Sequence, residues 1–266
     1  MKEPASAMLN SGNVPPPPEP VILLGVPVCP WSMEQTVAEI GRRMERGVFT
    51  QHGVVNAAKI VGVRRDADLC AAILTCDIIN ADGMGVVLAA RILGRPVPER
   101  VTGIDLFLRL VAWAAARGEP VFLLGAESGI VAKAAAALRE RYPGLRLAGW
   151  HHGYFWNDED ALVERIRASG ATMLFVGITS PQKERFIHRW RERLGVRFAM
   201  GVGGAFDVLA GKTRRAPRWM QRAGLEWLFR LILEPKRLWR RYIVVHALFC
   251  GILLLAWWRR PRGRPS

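Results

Sequence analysis

The stretch CDIINADGMGVVLAARILG, Cys76 to Gly94, decides how the chain is read. An apolar run through Ile78 and Ile79 leads to Asn80, Ala81 and Asp82. Gly83, Met84 and Gly85 follow, and then a segment with helical spacing. A short apolar run, a glycine turn and a helix read as a buried strand feeding a crossover. The turn holds a carboxylate, Asp82. An Asp there suits the cap of the next helix. It equally suits chemistry at the carboxyl end of a strand, where open parallel sheets bind their ligands.

The same alternation extends through the first 200 residues. Strands are expected at 21–28, 53–56, 77–80, 121–126, 145–150, 172–178 and 197–203. Helices are expected near 31–46, 57–64, 84–93, 104–117, 129–141, 158–168 and 181–193. Strand and helix in turn predict an α/β domain with a mainly parallel sheet. Strands such as TMLFVGI (172–178) are apolar throughout, as they are when helices cover both faces.

The unusual residues fall where these strands end. Asp82-Gly83 follows one, GAESG (125–129) another, GITSPQKE (177–184) a third and GVGGAFD (201–207) a fourth. Glycine loops and helix N-termini let backbone N–H groups meet phosphate oxygens. Four such loops on one predicted edge point to a nucleotide-type ligand. GVGGAFD lacks the third glycine of a dinucleotide fingerprint and has no βαβ unit after it, which excludes a dehydrogenase.

Composition divides the chain. The 266 residues carry a net charge of +15 and are 50% hydrophobic, enough for a sizeable core. Residues 212–266 hold fourteen Lys and Arg against two Glu, or +12, and five of the ten tryptophans. A boundary is therefore set at 211, with an α/β domain over 21–211 and a basic, Trp-rich helical appendage over 212–266. Residues 1–20, with the run PPPPEP, read as a disordered leader and not as a signal peptide. The four cysteines form no CxxC pair, and the histidines have no ligand spacing, so no metal site is expected. The pair His151-His152 reads as loop histidines.

Two or three helices are expected in the appendage, with Pro217 near one start and Pro235 interrupting the pattern. Arg230, Arg237, Arg240 and Arg241 recur on neighbouring turns. The apolar segment 243–258 has sixteen residues between arginine pairs. As a helix it rises about 24 Å, short of a hydrocarbon core of about 30 Å. Lipid suits so uncharged a run better than a nucleic-acid groove, so the appendage is expected at an anionic membrane surface.

These segments resemble the WecG/TagA/CpsF glycosyltransferase family over about residues 21–242. The matching motifs are NADGMGVV (80–87), ERVTGIDL (99–106), FLLGAESG (122–129), YPGLRLAGWHHGYF (142–155), VGITSPQKERFI (176–187) and the long run GVGGAFD through RRY (201–242). The resemblance implies a Rossmann-like α/β domain with a membrane-reaching appendage. It implies inverting, metal-independent transfer from a UDP-sugar to a polyprenyl-diphosphate-linked sugar in cell-surface or exopolysaccharide synthesis. The donor would be of the N-acetylmannosamine type, or of the glucose or uronic acid type. No cofactor is implied. The enzyme would work at the cytoplasmic face of the inner (plasma) membrane.

By the same resemblance Asp82 is the general base that takes the acceptor's proton. Asn56, Gly83, Arg100, Thr102, Asp105, Gly125, Gln182, Lys183, Gly203 and Gly204 are candidates for binding the nucleotide sugar. Arg230, Arg237 and Arg240 are candidates for the leaving group or the lipid diphosphate. Two positions depart from the pattern. Val54 stands where the family often has Thr, a place another side chain such as His52 could fill. Pro181-Gln182-Lys183-Glu184 reorders the usual Pro-(Lys/Arg)-Gln-Glu, leaving Gln182 and Lys183 as alternatives. A catalytically idle membrane scaffold and a nucleic-acid-binding protein are the competing readings.

Overall fold

The computed structural model describes residues 14–259, without the side chains of Arg237 and Arg241. The first thirteen residues of the expected leader lie outside the described residues. Residues 14–20 form no helix or strand, and carbonyls of Val14 and Pro18 accept from Arg42 and Trp31.

Six strands build one sheet: β3 (Thr50–Val55), β4 (Ile78–Ala81), β5 (Val121–Gly125), β6 (Leu147–His151), β7 (Met173–Gly177) and β8 (Phe198–Gly201). Their order is β4-β3-β8-β7-β5-β6, and every pairing is parallel. All six carboxyl ends therefore open on one edge. Alternate residues of each strand serve opposite faces. Val121 and Leu123 pack beneath α1 (Met33–Glu45), α5 (Gly103–Arg117) and α6 (Ser128–Arg141). Phe122 and Leu124 face α7 (Glu159–Ala168) and α8 (Gln182–Trp190). Over the other half of that second face, Val55, Ile79 and Ala81 meet α2 (Ala57–Gly62), α3 (Ala67–Leu74) and α4 (Met84–Ile92). The expected α/β class, with helices on both faces, is what the chain adopts.

Three differences have local causes. The expected strand 21–28 is a hairpin of β1 (Val21–Leu23) and β2 (Val26–Val28), because Leu24 and Gly25 both take positive φ and turn the chain. It forms a separate two-stranded sheet beside β4, with the Cys29 N–H donating to Ile79 O at 2.7 Å. Helix α3 was not anticipated, although Asp66 caps it by accepting from the Leu69 N–H. A short helix α9 (Ala205–Leu209) follows the β8 loop.

The appendage forms α10 (Arg218–Arg222), α11 (Glu226–Leu233) and α12 (Pro235–Trp258). Pro235 occupies the first turn of α12, where a missing N–H is harmless, and Glu234 before it is non-helical. Arg230 is thus on a different helix from Arg240, so the expected row of arginines along one helix side is broken at Glu234.

Helix α12 is continuous for 24 residues, longer than the sixteen-residue apolar segment within it. By length and composition Leu238–Trp258 could cross a membrane. One stripe of it is docked, however. Phe249 is buried, and Leu248, Ile252, Leu253 and Ala256 pack on the core beneath α2 and α4. The opposite side exposes Ile243, Val244, Leu254, Leu255, Trp257 and Trp258.

Candidate active site

Strand β4 carries Asp82 to the open edge. The Asp82 N–H still donates to Val55 O at 2.8 Å, so the residue is fixed by the sheet just beyond the strand. Gly83 then turns with φ +147°, a conformation L side chains rarely adopt, and begins α4 without any side-chain cap. Asp82 is therefore not a helix cap. Among the described residues nothing donates a hydrogen bond to its carboxylate. The residue is partly exposed. Its deep setting raises the carboxyl above the ordinary carboxylate value, opposed by the charges of Arg100, Lys59 and Arg230 and assisted by Glu226.

Asn56, at the end of β3, lies beside this turn: a Cβ on Gly83 would be 3.7 Å from the Asn56 Cβ. Its Oδ1 caps α2 by accepting from the Lys59 N–H at 3.1 Å, which leaves the amide NH2 to a ligand. Arg100 reaches from the loop before α5. It donates to Glu226 Oε2 at 2.6 Å and to the Gln221 carbonyl at 3.0 Å, both in the appendage. Arg230 is on the exposed side of α11, one turn beyond Glu226. Appendage and domain thus meet around Asp82.

The remaining loops are stitched together along the same edge. Gly125 pairs with Gly177 at the ends of β5 and β7. The Ala126 N–H donates to Gly177 O at 3.1 Å, the Gly153 N–H to Ala126 O at 2.8 Å, and the Val202 N–H to Val176 O at 2.8 Å. Gly203 and Gly204 then lead into α9. Adjacent backbone loops of this kind can receive a diphosphate or a ribose without long side chains.

Residues 21–263 match the glycosyl transferase WecG/TagA/CpsF family. The chain belongs to that family. It is a glycosyltransferase. Two similar proteins bear the name N-acetylglucosaminyldiphosphoundecaprenol N-acetyl-beta-D-mannosaminyltransferase. That of Bacillus spizizenii is 35% identical over 183 residues, 69% of this chain and 70% of its own. That of Bacillus subtilis (strain 168) is 33% identical over 181 residues, 68% of this chain and 70% of its own.

Within this glycosyltransferase the sequence-derived candidates divide into groups. Asn56 and Gly83 lie beside Asp82 where β3 and β4 end, and the charges of Arg100 and Arg230 act on its carboxylate. Gly125, Gly203 and Gly204 border the same edge over its other strands. Thr102 and Asp105 are engaged elsewhere. The Thr102 hydroxyl caps α5, accepting from the Asp105 N–H at 3.3 Å and donating to Asp105 Oδ2 at 2.5 Å. Arg215 grips both Asp105 oxygens at 2.6 Å each. Burial pushes the Asp105 carboxyl up, but these bonds outweigh it and hold it below the usual range.

The alternatives Gln182 and Lys183 separate. Gln182 is exposed, its Oε1 accepting from the Thr179 hydroxyl at 2.9 Å. Lys183 turns inward beneath Gly201 and pairs with Glu184 at 3.4 Å. Burial pulls its amine below the ordinary lysine value. His52, the alternative to Val54, is buried on β3, its Nε2 against Asn80 Oδ1 at 2.9 Å. Arg240 is exposed on α12 with its guanidinium 5.3 Å from the Trp239 ring centroid. The side chain of Arg237 lies outside the described residues.

Sequence reasoning missed Lys59. In the apolar segment AAKIVG it looks like an ordinary helix lysine, yet it is buried, donates to Val54 O at 2.7 Å and pairs with Glu184 at 2.8 Å. The signal was a lysine three residues after an Asn cap, within a segment otherwise apolar. Among the described residues no three His, Cys, Asp or Glu side chains group to hold a metal ion.

Proposed function

We propose that the protein transfers a sugar, with inversion, from a UDP-sugar to a polyprenyl-diphosphate-linked sugar at the cytoplasmic face of the membrane. The observation that carries this reading is Asp82: a carboxylate uncapped, raised by burial, reachable from solvent and faced by three cations. The acceptor hydroxyl oxygen attacks the anomeric carbon as Asp82 takes its proton, and the bond from that carbon to the UDP oxygen breaks. The negative charge that gathers on UDP is met by Arg100, Arg230 and the loop N–H groups in place of a metal. Asn56 and the glycine loops at Gly125, Gly203 and Gly204 hold the donor, and Gln182 is the better placed of the two alternatives to join them.

The two relatives named above support an undecaprenyl-type acceptor, since their names specify a diphosphoundecaprenol-linked sugar and an N-acetylmannosaminyl donor group. Helix α12 supports a membrane surface. A helix apolar all round with one stripe docked is suited to lie in the interface plane, its tryptophans at headgroup depth. The donor is identified by measuring UDP release across a panel of UDP-sugars, with and without detergent-dispersed polyprenyl-diphosphate N-acetylglucosamine. Lipid-dependent release with one donor supports the reading; no release with any donor counts against it.

A further inference from the structure

An ion-pair ladder crosses from the domain to the appendage. Arg100 holds Glu226 Oε2 at 2.6 Å, Arg215 approaches Glu226 Oε1 at 3.5 Å, and Arg215 holds Asp105 with both nitrogens. The side chains of Arg100, Glu226 and Arg215 are 14%, 19% and 22% exposed, so water screens them only in part.

We propose that Glu226 is a positioning residue: by bridging Arg100 and Arg215 it fixes α11 over the Asp82 crevice and aims Arg230 into it. This rests on the glycosyltransferase reading of that crevice. The helix itself supplies the geometry. Glu226 and Arg230 are four residues apart, so both project from one face of α11. The contact that seats one sets the direction of the other.

Three observations favour this reading. No residue of α11 is fully buried; Trp227 meets the rings of Tyr242 and His246 on α12, and the charged bridge at Glu226 ties the helix to the domain. The loop before α11 is seated on the turn after Asp82, since Gly224 lies so close to the Met84 side chain that a Cβ there has no room. Finally, Glu226 is one of two acids among fourteen bases from 212 onward. An acid facing a site for anions weakens that site and raises Asp82 further, as its negative charge does here. Its position makes sense when both of its oxygens serve cations that need to be held apart and in register.

The test uses the full-length protein and three forms: wild type, Glu226→Gln and Glu226→Asp. Hydrogen exchange over 226–233 reads the seating of α11 without any substrate. The proposal expects Glu226→Gln to exchange there about tenfold faster, with the sheet unchanged, and Glu226→Asp to stay near wild type. The kcat for UDP release is expected to fall about tenfold in Glu226→Gln and to recover in Glu226→Asp. Unchanged exchange in Glu226→Gln overturns the proposal. So does faster turnover in that variant, which would make Glu226 a competitor for Arg100. If wild type transfers no sugar at all, the functional reading fails while the exchange experiment still decides the seating.

Discussion

Lys59 and Glu184 meet at 2.8 Å behind the edge where the strands' carboxyl ends open, their side chains only 9% and 6% exposed. Each comes from the helix that follows a central strand, α2 after β3 and α8 after β7. The pair therefore locks two crossovers together beneath the loops that carry Asn56 and Gln182. Burial pushes the Glu184 carboxyl up, but Lys59 and Lys183 outweigh it and keep it below the usual range.

Glu184 is the acid shared by two buried lysines, so removing it leaves both uncompensated, which costs about 3–5 kcal/mol. Glu184→Leu is expected to lower unfolding stability by that order, measured by urea titration. Lys59→Met is expected to cost less, because Glu184 keeps Lys183 as its partner. A larger loss in Lys59→Met than in Glu184→Leu would contradict the shared pairing.

Asp82 is predicted to cost stability. Its carboxyl is raised in the folded protein, so the native state binds that proton more tightly than the unfolded chain does. Stability from this group rises as pH falls through the raised value, and at neutral pH its ionisation is a penalty. Asp82→Asn is therefore expected to unfold at a higher temperature than wild type at pH 7, by the equivalent of about 0.5–2 kcal/mol. In wild type, transfer is expected to fall on acidification with a midpoint above the ordinary Asp value. A midpoint at or below it would contradict the environment described.

His52 works in the opposite sense. Burial lowers its imidazole to about 4 from 6.5, so the folded protein holds it neutral. The stability it contributes is fully present above pH 6.5 and is lost as pH falls towards 4, about 3 kcal/mol in all. Comparing urea midpoints at pH 7 and 4.5 is expected to show a smaller acid loss in His52→Gln than in wild type.

Much of the fold was legible because periodicity reports burial directly. TMLFVGI is apolar throughout and becomes β7, covered on both faces; Asn80-Ala81-Asp82 ends β4 at the edge where the crevice lies. The hairpin at 21–28 was read as one strand because six aliphatic residues surround Gly25 and Pro27. Gly25 was the turn signal, but the turn also needs a positive φ at Leu24, a residue with no turn preference. Sequence put Asp82 at a strand end, where the structure has it; that it makes no cap bond to α4 was not legible, since Asp is a common cap. Thr102 and Asp105 share a motif with Arg100, and sequence could not show that Arg215, 110 residues on, claims Asp105. Lys59 and Lys183 likewise look like surface lysines until their shared partner, Glu184, is placed between them.

The exposed side of α12 is expected to bind membranes. Leu254 and Leu255 are 63% and 48% exposed and lie outside the docked stripe. Leu254→Glu with Leu255→Glu is expected to reduce co-sedimentation with anionic vesicles at least about tenfold while leaving the melting temperature unchanged. Undiminished sedimentation would place the membrane contact elsewhere.

In the proposed reaction Asp82 is the base that activates the acceptor. The direct measurement is the rate of sugar transfer to polyprenyl-diphosphate N-acetylglucosamine by wild type and Asp82→Asn, at saturating donor. The variant is expected to bind UDP as wild type does, to fold at least as stably, and to transfer about 100-fold or more slowly. Transfer at the wild-type rate by a folded, UDP-binding Asp82→Asn protein would contradict it.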